Sequence, residues 1–230
     1  MPKALIAPHA GYVYSGPIAA SAYHALGDAA HEIERVVLIG PSHFVPFSGL
    51  AVSGAEAFET PLGDVPVDAA ARREVLRVPH VVTADTPHAH EHSLEVQLPF
   101  LQVLLGEFQV LPIVVGDATA REVCAALQCV WGDEETLIVV SSDLSHYLEY
   151  AAARRVDAST AQSILDFSTE LGGEQACGCI GINGLMHVAR ERELEVRLLD
   201  LRNSGDMGAE RSRVVGYGAF ALHRPRVVSA

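Results

Sequence analysis

Short apolar runs alternate along the chain with longer segments of helical period. KALIAPH (3–9), RVVLIGPSH (35–43), FQVLPIVVG (108–116) and the start of TLIVVSSDLSHY (136–147) are apolar at consecutive positions. Consecutive apolar positions, without polar alternation, mark strands covered on both faces. GLAVSG (49–54) and the region of DVPVD (64–68) read as shorter strands. Between them lie helical segments at 16–27, with Pro17 in the first turn and Gly27 at the end, and at 68–77, opened by Asp68 as a cap. A third runs over 93–106, where Pro99 bends or restarts it, and a fourth over 119–131, with Thr119 as its cap. Helices follow at 150–167 and 181–191, and strands at 195–204 and 213–223 close the chain.

Strands alternating with helices predict a layered α/β sandwich around a central sheet. The last two strands have no helix between them, so the sheet is expected to be mixed and mostly parallel. No linker, repeat or low-complexity stretch interrupts the pattern, and a single domain is expected over 1–230.

Charge narrows the partners. With 16 Lys+Arg against 29 Asp+Glu the formal net charge is −13. Such a surface repels phosphate backbones, which argues against nucleic acid. No run reaches the roughly 18 apolar residues of a membrane span. The N-terminus lacks the long apolar core of a signal peptide, so the cytoplasm is the expected compartment. The four cysteines are then expected as thiols. Cys124 and Cys129 fall in a helical apolar stretch and read as buried and inert. Cys177 and Cys179 sit in a Gly-bounded turn, too close for an easy mutual disulfide.

Eleven histidines are many for so acidic a chain, and their placement matters more than their number. Three apolar runs end in a His-containing loop: IAPHAGYVYSG with His9, LIGPSHF with His43 and VVSSDLSHY with His146. Ligands of open α/β sheets collect outside the carboxyl ends of the strands, so three such loops predict one shared site. Neutral imidazole suits iron, copper or zinc, and His9, after Pro8, and His43, after Pro41-Ser42, are expected as the primary metal ligands. Asp143 lies three residues before His146, close enough to fix its tautomer; His146 is then a further ligand or a general acid/base. The same serines and aspartate could equally cap the next helix.

TPHAHEHSLEVQLPF carries His88, His90, Glu91 and His92. Alternate histidines diverge where a helix begins, so this is not read as a metal-binding strand. His88 reads as an exposed loop residue. Glu91 and His92, beside the helix start, are either structural or aimed into the site. Cys177 is either a packed turn residue or a thiolate completing a His/His/Cys set. Phosphate-binding loops, nucleophile elbows, HExxH zinc motifs and dinucleotide fingerprints do not occur.

Taken together, APHAGYVYSG (7–16), GPSH (40–43), TPLGDVPVD (60–68), EHSLEVQLPFL (91–101), SSDLSHY (141–147), the Cys177-Gly178 pair and NSGDMGAERSRVVGYGAFAL (203–222) resemble the Memo family. Its prokaryotic members are named AmmeMemoRadiSam system protein B. The resemblance implies a fold like that of the class III extradiol non-haem iron dioxygenases and a mononuclear iron or copper site, with zinc also compatible. By position it implies His9, His43 and Cys177 as metal ligands, with Cys177 standing where the dioxygenases have a carboxylate. Asp143 and His146 match the family's serine-rich loop. This chain has Gly181 where Pro is common in relatives, and Cys179 is an additional thiol.

Two functions are expected from these residues. One is a dioxygenase-like oxidoreductase acting on a small molecule, with His146, Asp143, His92 and Glu91 as its proton-handling groups. The other is a binding or scaffold protein that reuses the pocket for a peptide. The family's name also suggests a radical-SAM enzyme as partner, since this chain has no CxxxCxxC set of its own.

Overall fold

The computed structural model describes residues 1–225; the last five residues of the expected 1–230 domain lie outside the described part. Eleven strands are found among the described residues: β1 (Ala4–Ala7), β2 (Arg35–Pro41), β3 (Leu50–Val52), β4 (Ala57–Thr60), β5 (Gly63–Pro66), β6 (Val81–Thr83), β7 (Gln109–Val115), β8 (Thr136–Ser141), β9 (His146–Leu148), β10 (Glu195–Asn203) and β11 (Val214–His223). The helices are α1 (Tyr12–His24), α2 (Ala69–Val75), α3 (His92–Glu95), α4 (Leu98–Leu104), α5 (Ala120–Cys129), α6 (Tyr150–Leu165) and α7 (Cys179–Glu191).

Nine strands form one sheet in the order β10-β11-β1-β8-β2-β7-β3-β6, with β9 paired to β11; β4 and β5 form a separate hairpin. The middle of the sheet, β1, β8, β2 and β7, is parallel. Antiparallel pairs with β11 on one side and β3 on the other make it mixed. Alternate residues of one strand serve opposite layers: Ala4 and Ile6 join the cluster built with α5 and α7, and Leu5 and Ala7 the cluster built with α1 and α4. Two covered faces account for the unbroken apolar runs.

The helix ends follow local chemistry. Asp68 accepts the N–H groups of Ala70 and Ala71 at the start of α2. Thr119 and Glu122 form a reciprocal capping box at α5. The expected 93–106 helix is two pieces, with Pro99 in the first turn of α4, where its missing N–H costs nothing. The first helix differs from expectation. It starts at Tyr12, so Pro17 lies inside it rather than in its first turn. The proline leaves the carbonyl of Val13 without its helical donor, and Val13 is 75% exposed, so solvent can reach that turn. Cys129 is exposed rather than buried.

Candidate metal centre

The three parallel strands β1, β2 and β8 end together, and each is followed two residues later by a polar side chain: His9, His43 and Asp143. The loops there are tied edge to edge. Ser142 N–H bonds Ala7 C=O at 2.9 Å, and Cys177 N–H bonds Asp143 C=O at 3.2 Å. Gly178 allows α7 to press its first turn onto the end of β8, because a Cβ there would lie 2.7 Å from the Ser141 carbonyl oxygen.

Ligand-capable ring nitrogens of His9, His43 and His92 all lie within 4.8 Å of one another. The His9 ring stands edge-on to both others, and the His43 and His92 rings stack with centroids 4.8 Å apart. Cys177 is not one of these three, but its Sγ is 3.3 Å from His9 Nε2. A tetrahedral ion at usual bond lengths of about 2.0 Å to nitrogen and 2.3 Å to sulfur separates those two atoms by about 3.5 Å. The observed spacing therefore fits a shared ion.

Each central imidazole is held from behind. His43 Nδ1 lies 2.8 Å from Glu91 Oε1, and the His43 backbone N–H donates to Glu91 Oε2 at 2.6 Å. His9 Nδ1 lies 2.9 Å from Ser141 Oγ. With Nδ1 engaged, Nε2 of both rings is left for a ligand, as in metal sites where a carboxylate or hydroxyl orients the imidazole. Glu91 also caps α3 by accepting Ser93 N–H. Burial would raise its carboxyl, but the hydrogen bonds from His43 and Ser93 outweigh burial and bring it down to about 2. His9 is pushed down to about 3 by burial and then by the neighbouring His43 and His92, so it stays neutral and available as a ligand. Burial, and then the charge of Asp143, push the Cys177 thiol up to about 12. Such a thiol keeps its proton unless a cation displaces it.

The expected pairing of Asp143 with His146 is not found. Asp143 Oδ1 accepts the backbone N–H of His9 at 2.8 Å and of Ala10 at 3.3 Å. Its side chain therefore braces the β1 loop instead. Burial raises its carboxyl to about 6 against the pull of those two donors. His146 is not in a loop but opens β9, with its ring turned to the Leu144 carbonyl. Three residues of spacing in a loop without regular structure do not bring two side chains together. Nor do the serines and Asp143 cap α6, which is capped by Glu149. His146 instead lines an open cavity together with His43, Gln175 and Cys177.

On the other side of His43 and Cys177 lies a cavity of about 360 Å³ walled by Phe44, Val45, Phe47, Val140 and Ile180. His88 is half-buried rather than exposed, and its Nε2 lies 3.1 Å from the Ala51 carbonyl. It stays apart from the centre, as does the exposed His90. Sequence reasoning missed Gln97, which is fully buried and bonded to Ser141 Oγ. A polar residue inside the apolar pattern SLEVQLPF was the signal available.

The profile described as Memo-like protein matches residues 1–221. The chain belongs to the Memo family. A MEMO1 family protein of Aquifex aeolicus is 37% identical over 232 residues, covering 94% of this chain and 84% of the relative. One from Archaeoglobus fulgidus is 37% identical over 237 residues, covering 95% and 86%. Among solved structures, an uncharacterised Escherichia coli K12 protein superposes with a TM-score of 0.58 at 13% identity, covering 94% of this chain and 99% of its own. That likeness speaks for the fold alone. Among the described residues, no helix is long and apolar enough to cross a membrane.

Proposed function

We propose that this Memo-family chain is a metal-dependent oxidoreductase in which His9, His43 and Cys177 hold one iron ion, with copper or zinc able to compete for the same donors. The observation that carries the reading is the convergence of His9 and His43, both anchored through Nδ1, with Cys177 Sγ 3.3 Å from His9 Nε2. The ion, when bound, supplies Lewis acidity and, for iron or copper, a redox couple. The protein supplies the rest. Glu91 stays anionic and keeps the His43 ring fixed. Asp143 clamps the loop that carries His9. The side chain of His92 is 41% exposed, which suits it to meet a substrate or exchange a proton on the open side. His146, facing the second cavity, is placed to hold or release a proton there. The cavity beside His43, walled largely by apolar side chains, suits a small, largely apolar substrate group.

Metal analysis of untagged protein tests the assignment. The expected result is close to one equivalent of metal in the wild type, and loss of it in His9→Ala/His43→Ala protein. Cys177→Ala should weaken binding more than His92→Ala. Equal metal content in the double variant and the wild type would sink the reading.

A further inference from the structure

Behind His9 a chain of buried hydrogen bonds extends beyond the Ser141 contact already described. Gln97 Nε2 donates to the Pro8 carbonyl at 2.9 Å and to Ser141 Oγ at 2.8 Å. The Tyr23 hydroxyl donates to Gln97 Oε1 at 2.8 Å. Ser141 Oγ donates to the Ser93 carbonyl at 2.5 Å and contacts His9 Nδ1 at 2.9 Å. Gln97, Ser93 and Ser141 have no solvent exposure, and Tyr23 has 1%. No water competes for these bonds.

The directions of these bonds are forced. A carbonyl can only accept, so the Pro8 oxygen requires the nitrogen of the Gln97 amide on its side. That leaves Oε1 for Tyr23 and turns the second amide hydrogen onto Ser141 Oγ. A serine hydroxyl has one hydrogen. The Ser93 carbonyl takes it, because the helix breaks there and the Gln97 N–H that would serve Ser93 goes to Leu94 instead. Ser141 Oγ therefore offers His9 only a lone pair. His9 must carry its hydrogen on Nδ1, and its bare Nε2 faces Cys177 Sγ and the imidazole cluster. We infer that Ser141 is a positioning residue: held in place by Gln97 and with its hydrogen on the Ser93 carbonyl, it sets the tautomer of His9 so that Nε2 is presented as a metal donor before any metal arrives.

The inference rests on the metal reading for its purpose but not for its test. The decisive experiment is nitrogen-15 NMR of the histidine rings in the full-length, metal-free protein, with the His9 signals assigned by the His9→Ala variant. The wild type is expected to show His9 protonated on Nδ1 and bare on Nε2. Ser141→Ala, a small change that removes the accepting oxygen, should give a mixture of tautomers. Ser141→Cys, whose sulfur accepts only weakly, should also lose the bias. In parallel, cobalt(II) titration followed by its visible absorption should show affinity lower by about 10- to 100-fold in both variants. A wild-type His9 carrying its hydrogen on Nε2 overturns the inference. So does a folded Ser141→Ala protein that keeps both the wild-type tautomer and wild-type cobalt affinity. If the tautomers behave as stated but even the wild type binds no metal, the positioning role stands and the metal reading falls.

Discussion

Glu91 performs two tasks with one carboxylate: it caps α3 through Ser93 and grips His43 by both the backbone N–H and the ring. Its folded carboxyl titrates near 2 against an ordinary 4.5. The folded state therefore prefers the anion. The stability this supplies is present above pH 4.5 and is lost as pH falls through the window down to about 2. His9 works in the same direction over a higher window, from 6.5 down to about 3, because folding prefers its neutral form. Comparing wild type with Glu91→Gln isolates the carboxylate. Urea unfolding at a series of pH values should show the wild type losing more stability than Glu91→Gln below about pH 5. Parallel curves would refute the role given to Glu91. The variant should also bind metal about 10- to 100-fold more weakly. At this scale the sequence indicated which residues gather, because each sits in a short Gly-, Pro- or Ser-containing loop after an apolar run. It did not indicate which partner each would choose. Asp143 turns to the His9 loop rather than to His146, since the stretch between them is neither helix nor strand and side-chain direction there is not set by spacing.

Among elements, the approach of α7 to β8 is the most sensitive. Gly178, the residue before α7, would place a Cβ 2.7 Å from Ser141 C=O and 2.8 Å from Ser142 Cβ. One of these neighbours is backbone of a central strand and cannot step aside. Gly178→Ala should cost about 1–3 kcal/mol by overpacking and draw Cys177 away from His9, lowering metal affinity as well. Gly181, one turn on, would meet only Val140 Cγ1 at 3.3 Å. Gly181→Ala should be neutral or stabilising by up to about 1 kcal/mol, because alanine restricts the unfolded helix segment. Thermal unfolding of the pair checks this, and equal effects would show that the close approach is unimportant. Elements with strong local signals were legible: the Asp68 and Thr119 caps, the restart at Pro99 and the buried parallel strands. The β4 strand and the three-residue β6 were not. Such edge pieces owe their strand form to pairing with a neighbour, which no local pattern encodes. The start of α1 was misplaced because Pro17 normally opens a helix, and only the solvent position of Val13 makes it tolerable inside one.

For the whole molecule, the centre ties together segments that meet nowhere else in sequence: the loops after β1, β2 and β8, the start of α3 and the turn before α7. The sheet order that brings them to one edge was readable as a class of fold, from alternation alone, but the placement of β8 between β1 and β2 was not. That placement is what sets Asp143 beside His9 and brings the Cys177 turn, bonded to Asp143, against the same edge. A ligand bound by all these segments exists only in the folded state, so it must stabilise the entire domain rather than a loop. At a free metal concentration of 100 times Kd the gain is about 2.7 kcal/mol. For a chain of this size each kcal/mol is worth roughly 2–4 °C, so the midpoint Tm should rise by roughly 5–11 °C. Untagged protein, stripped with chelator and reloaded with iron(II) without oxygen, or with zinc(II), is the sample to heat. The rise should vanish in His9→Ala/His43→Ala protein, whose remaining donors cannot span the loops. An unchanged Tm in the wild type, or the same rise in the double variant, would mean that the imidazoles converge for another purpose. In the second case the gain would have to come from metal bound elsewhere on an acidic surface, where it should fade as salt is raised.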